Sequence, residues 1–188
     1  MTVFFSSDWH LGHQKPAIWS ARGFPSMESH DNYLINDWKE KVGRFDEVVM
    51  VGDMLMGEHK VKRAVELFSM LPGKKIWCLG NHDPKPERLQ PVMDLGVQVI
   101  PFGKSFEWGE QYGSFLLVQH LPYAGTPHAI HGAGDREHLP YPVDQGFPLV
   151  HGHTHSREFK SRGPANGLMF HVGVDAHGGL VRYEDILK

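Results

Sequence analysis

Val3-Phe4-Phe5-Ser6-Ser7-Asp8-Trp9-His10-Leu11-Gly12-His13 is a short apolar run that stops on polar, metal-competent side chains. Val3 to Ser7 favours strand and predicts a buried first strand that ends at Asp8. The pattern returns twice further on. Glu47 to Val51 ends at Gly52-Asp53, and Lys75 to Leu79 ends at Gly80-Asn81-His82-Asp83. The stretches between are helical in period. Met27, Leu34, Trp38 and Val42 mark one face of the first, with Ser26 as its N-cap and Gly43 as its stop. Val61, Ala64, Val65, Phe68 and Leu71 mark the second, closed by Pro72-Gly73. Strand and helix in alternation predict parallel βαβ units.

Beyond residue 96 the pattern changes. Val97 to Ile100, Lys104 to Trp108, Ser114 to Gln119, Pro148 to Val150 and Leu168 to Val172 read as short strands broken by Gly and Pro, with a hairpin turn over 108–113. A long segment rich in Pro, Gly and His lies between His120 and Phe147, and loops of that length are usually functional. The βαβ start and the strand-rich second half predict a four-layer α/β/β/α sandwich, two mixed sheets face to face with helices outside. The 188 residues form a single domain, 1–188, with a substantial core.

Composition narrows the function. The chain is 40% hydrophobic and 22% charged, an ordinary soluble balance. No apolar run reaches the roughly 20 residues of a membrane span, and the N-terminus lacks a signal-peptide pattern. One cysteine, Cys78, cannot form an internal disulfide, which fits a cytoplasmic protein. The net charge is −3, with Lys and Arg scattered, so no basic face marks a binder of long nucleic acid. The anomaly is 14 histidines, since histidine is the commonest metal ligand.

Five of the strands end on such groups: Asp8-Trp9-His10, Gly52-Asp53, Gly80-Asn81-His82-Asp83, His120, and Gly152-His153-Thr154-His155. An open α/β sheet places its site beyond the carboxyl ends of its strands. The aspartates supply hard anionic oxygens, Asn81 a neutral carbonyl and the histidines borderline nitrogens, a set suited to Mn, Fe, Zn or Ni. Glycines before Asp53, Asn81 and His153 allow sharp turns and close approach. The i, i+2 spacing of Asp8/His10 and His153/His155 puts each pair on one side of an extended segment. Each cluster alone is usually a turn; their joint order is what argues for a metal site.

The chain resembles the calcineurin-like metallophosphoesterase superfamily, whose signature runs D-x-H, G-D, G-N-H-[DE], H and G-H-x-H. The likeness runs from Asp8 to Val172-Gly173-Val174-Asp175, and the opening Ser7–His13 looks like small bacterial and bacteriophage members. Met56 departs from the pattern, standing where the family often has an acidic residue three positions after its second Asp. The resemblance implies two divalent transition-metal ions, Mn2+ favoured. Asp8, His10 and His155 would hold one, Asn81, His120 and His153 the other, and Asp53 would bridge them. His151 reads instead as a core histidine beneath the site.

Two such ions can activate a bridging water for in-line attack on a phosphoester, with no covalent intermediate. His82 stands where it could protonate the leaving oxygen, with Asp83 to orient its ring. Cys78, inside an apolar strand, reads as an inert thiol. His13, Tyr123 and Arg136 are candidates for substrate contact, with His128, His131, Asp135 and His138 nearby in the long loop; Trp9, Trp19 and Phe24 could stack a base. The expected activity is hydrolysis of a small phosphodiester or cyclic nucleotide. Phosphomonoesterase and nuclease remain alternatives, the last requiring a basic groove. So does a silent scaffold for protein partners, which the presence of His82 argues against.

Overall fold

In the computed structural model, which describes residues 1–57, 59–109, 115–127 and 139–186, the opening run forms β1 (Val3–Ser6), buried along its length. Its side chains serve two cores in turn. Phe4 enters one, while Val3 and Phe5 enter the other. β2 (Glu47–Val51) behaves alike, sending Val48 and Met50 one way and Val49 and Val51 the other. A strand with apolar layers on both faces needs no polar alternation, so the sequence reads as one continuous apolar run.

β3 (Lys74–Cys78) and β4 (Gln98–Ile100) continue the sheet in parallel, and β10 (Val181–Arg182) closes its other edge antiparallel, in the order β10-β1-β2-β3-β4. A short helix α1 (Ala17–Ala21) precedes α2 (Met27–Lys41), and α3 (Lys60–Met70) follows β2. Ser26 caps α2 as expected. Its Oγ accepts from the Ser29 N–H at 3.1 Å while the Ser29 Oγ accepts from the Ser26 N–H at 3.3 Å. Leu34 and Trp38 of α2 and Ala64, Leu67 and Phe68 of α3 bury against Phe4, Met50 and Trp77. A further short helix, α4 (Gln90–Met93), leads into β4.

The second sheet is β5 (Phe106–Trp108), β6 (Leu116–Val118), β7 (Leu149–His151), β8 (Lys160–Arg162) and β9 (Leu168–His171), ordered β5-β6-β7-β9-β8. Its three central strands are parallel and both edges antiparallel. Trp108, Leu116, Val118, Val150 and Phe170 fill the space between the sheets against Phe5, Val49 and Val51. On the far face, Tyr123 packs with Leu149 and Met169. The result is the expected α/β architecture, two mixed sheets with flanking helices. β8, β10 and the short helices Val174–His177 and Tyr183–Ile186 escape sequence reading because two to four residues carry no periodicity. β8, Lys-Ser-Arg, is also polar throughout.

The two sheets are stitched where β1 ends. The Ser7 N–H donates to the Val172 carbonyl at 3.1 Å and the Val174 N–H to the Ser7 carbonyl at 3.2 Å. The loops after β1, β2, β3, β6 and β7 therefore meet in one place.

Candidate metal centre

The backbone at that meeting point is strained. Among the described residues, seven that are not glycine have positive φ, and five of them are Asp8 (58°), His10 (50°), Asp53 (53°), His153 (72°) and His155 (51°). Left-handed backbone costs L-residues free energy and persists where neighbours over-determine it. This corrects the extended geometry expected for the two i, i+2 pairs: each pair converges through two left-handed turns. The turns are locked to each other. The Asp8 N–H donates to the Gly52 carbonyl at 3.0 Å, the His10 N–H to the Asp53 carbonyl at 2.9 Å, and the Gly152 N–H to the His120 carbonyl at 3.0 Å. The glycines act by close approach, as expected. A Cβ at Gly52 would overlap the His120 ring, one at Gly80 the Asp53 carboxylate, and one at Gly152 would lie 2.6 Å from Asp8 Oδ2.

Two groups of potential ligands form, Asp8 with His10 and His155, and Asp53 with His120 and His153, the atoms of each group lying within 4.8 Å of one another. The His120 Nδ1 lies 2.8 Å from the Val51 carbonyl, which can only accept, so Nδ1 carries a proton and Nε2 is the atom left to meet a metal. That Nε2 faces Asn81 Oδ1 at 3.1 Å and Asp53 Oδ2 at 3.4 Å. His153 Nδ1 lies 3.1 Å from the same Asn81 oxygen. On the other side, His155 Nε2 and His10 Nε2 face each other at 3.1 Å. Asp53 sits between the groups, its Oδ2 also 3.8 Å from His10 Nε2. Nitrogen and oxygen atoms gathered this closely can share protons or a bound cation. With mixed N and O donors, the set fits a pair of divalent metal ions.

The protonation preferences differ between the ligands. Burial pushes His10 down to about 3, so its ring stays neutral, as a ligand must be. Burial alone would also lower His120, but Asp53 beside it outweighs burial and lifts it to about 9. Burial would raise Asp53, yet His120 and its hydrogen bond hold that carboxylate well below the usual range.

Three supports were not legible in sequence. Asp175 Oδ2 lies 2.8 Å from His155 Nδ1, which fixes that proton and leaves Nε2 as the donor to a metal. Arg22 grips Asp175 bidentately at 2.9 and 2.7 Å and donates to the Asp8 carbonyl at 2.7 Å and the Trp9 carbonyl at 3.3 Å. Its Nη1 also meets His30 Nε2 at 2.9 Å. All five guanidinium N–H groups are thus engaged. Burial would raise Asp175, but His155 and Arg22 hold it far below the usual carboxylate range. Ser7 Oγ donates to Asp8 Oδ2 at 2.6 Å. Asp175 lies in the closing segment that carries the family likeness, the one signal available; Arg22 has none.

Several sequence expectations meet different surroundings. Asp83 does not face the His82 ring in any described hydrogen bond. Its carboxylate accepts from the N–H groups of Asp53 (2.8 Å), Met54 (3.0 Å) and Gly80 (2.9 Å) and from Trp77 Nε1 (3.2 Å). It therefore braces the Asp53 turn. His82 is exposed, its ring centroid 5.7 Å from that of His10, and its N–H donates to Asp53 Oδ1 at 2.9 Å. His13 sits at the rim, 6.2 Å from the His10 ring centroid. Tyr123 is not at the site: it is fully buried and its hydroxyl donates to the Phe147 carbonyl at 2.9 Å. Trp9 is also fully buried, edge-on to Trp38, and offers no stacking surface. Trp19 is half-buried. Arg136, with His128, His131, Asp135 and His138, lies outside the described residues. His151 is a buried strand residue with Nδ1 2.9 Å from the Gly152 carbonyl, and it joins neither group.

A family model described as calcineurin-like phosphoesterase matches residues 1–168. Over 98% of its length the chain is 33% identical to the Gene 66 protein of Mycobacterium phage L5, covering 91% of that protein. It is 30% identical over 82% of its length to the uncharacterized protein MJ1445 of Methanocaldococcus jannaschii, covering 69% of it. The crystal structure of AQ665, a protein of unknown function from Aquifex aeolicus, superposes with a TM-score of 0.63 at 20% identity, covering 98% of this chain and 97% of that one. That likeness shows a shared fold.

Proposed function

Because the chain belongs to the calcineurin-like phosphoesterase family, we propose that it hydrolyses a small phosphodiester, with cyclic nucleotides among the favoured substrates, and that it does so in the cytoplasm with manganese. The observation that carries the reading is the convergence of histidine nitrogens and carboxylate and amide oxygens on two neighbouring points, with Asp53 between them. In this reading Asp8, His10 and His155 hold one ion, Asn81, His120 and His153 the other, and Asp53 both. When bound, the two ions activate water and neutralise charge on the phosphoryl oxygens.

The chain's own residues do the rest. The carbonyl of Val51 and the carboxylate of Asp175 fix the tautomers of His120 and His155, so the donor atoms are set before substrate arrives. Asp83 holds the Asp53 turn, and Asp53 in turn accepts from the His82 N–H, which ties the position of His82 to the same turn. His82, exposed beside His10, gives a proton to the departing oxygen at its ring nitrogen. A screen of mono- and diesters, cyclic nucleotides included, against Mn, Fe, Zn, Ni and Mg tests the reading. Faster turnover of diesters than of monoesters is the expected result. Exclusive monoester turnover would reassign the substrate class, and no turnover with any metal would favour a protein-binding scaffold.

A further inference from the structure

Behind His155 lies a cavity of about 430 Å3 that the chemistry above does not use. Its lining includes the buried Leu34 and Val174, the aromatic rings of Phe24 and Tyr33, and Arg157. The Phe24 and Tyr33 rings lie 5.3 Å apart, and Tyr33 is 48% exposed. Gly23 lines it too, and the space beside that residue is open, since a Cβ there would meet nothing within 4 Å. The cavity also touches Arg22 and Asp175, the pair that supports His155, so its contents lie one side chain from the metal ligands.

The free polar groups define what fits. Arg22 has no N–H left to offer, since Asp175, His30 and the Asp8 and Trp9 carbonyls engage it fully. Arg157 makes no ion pair among the described residues and follows His155 by two positions. Apolar side chains, two aromatic rings and one available guanidinium suit a flat ring with acceptor atoms at its rim. The rings of His82, His10 and His155 run in sequence, with centroids 5.7 Å apart for the first pair and 5.0 Å for the second. The cavity adjoins the His155 end of this set through Asp175, and His82 is not among its lining residues.

We propose that this cavity is a subsite for a nucleobase, and that it holds the ester group that stays on phosphorus rather than the one that leaves. The inference rests on the phosphodiesterase reading for its role and on the cavity alone for its ligand. Two diesters with the same leaving group separate them: thymidine 5′-(p-nitrophenyl phosphate) and methyl p-nitrophenyl phosphate. The metal-loaded enzyme favours the thymidine ester in kcat/KM. Tyr33→Ala and Arg157→Ala each raise its KM about tenfold, within the range of base–aromatic stacking, and leave the methyl ester within about twofold. Equal effects on both esters, or none on either, overturn the subsite. Titration of the chelator-treated protein with thymidine is the second readout, independent of turnover. Binding that weakens in both variants upholds the subsite even if neither ester is hydrolysed, in which case the phosphodiesterase reading alone has failed. Thymidine binding unaltered by either substitution overturns it.

Discussion

The two ligand groups are built on different principles. The group around His120, its exposed Asn81 apart, is buried and held by the main chain: Val51 supplies the carbonyl that orients His120, and backbone N–H groups pin the Asp83 carboxylate under Asp53. In the group around His155, that ring is held by side chains. Asp175 orients a His155 ring that is 34% exposed, and Arg22 secures Asp175 from a separate loop. Main-chain support comes with the sheet and survives most single substitutions. Side-chain support is lost with one atom. The first group should therefore bind its ion tightly and the second exchange it more readily.

Asp53→Asn breaks the contrast most severely, because Asp53 lies between both groups. Metal content should fall at both positions and turnover should drop to background. Elemental analysis showing one ion at full occupancy would mean that Asp53 serves only one group. Next in size is His82→Ala, expected to keep both ions and to lower kcat by roughly 10²–10⁴ on a poor leaving group. The loss should shrink with a nitrophenolate; equal losses on both would remove the proton-donor role.

Asp175→Asn sharpens the contrast directly. It should weaken one ion by about 10–100-fold and spare the other, the usual size for losing a ligand's orienting partner. Competition with a metal indicator would resolve two affinities in the variant, and parallel weakening of both would erase the distinction. The smallest effect concerns Cys78, fully buried on β3 beneath the His120 group. Burial raises its thiol to about 12, so it stays protonated at neutral pH. Native protein should resist a disulfide reagent at pH 8, and unfolding in denaturant should release one reactive thiol. Rapid labelling of the native state would show that this side is less closed than its burial implies.

Much of this was legible in the sequence because it is local. β1 to β3, the two long helices and the Ser26 cap follow from period and capping residues over a few positions. The seven candidate ligands stand out because polar residues directly after buried strands have little structural reason to be there, and the glycines beside them announce close approach. Tyr123 misled for the same local reason: its position after His120 says nothing of the core that Leu149 and Met169 build around it.

What the tertiary structure alone decided depends on distant partners. The left-handed turns at Asp8 and His153 exist because one loop donates to the carboxylate of the other across 145 residues. The Arg22–Asp175 pair spans 153 residues, and Asp83 faces Asp53 rather than His82 because the turns after β2 and β3 lie side by side. Periodicity and residue chemistry say which side chains leave the core at a strand end. Where those side chains then point is set by the packing of two sheets against each other, and no local stretch of sequence encodes it.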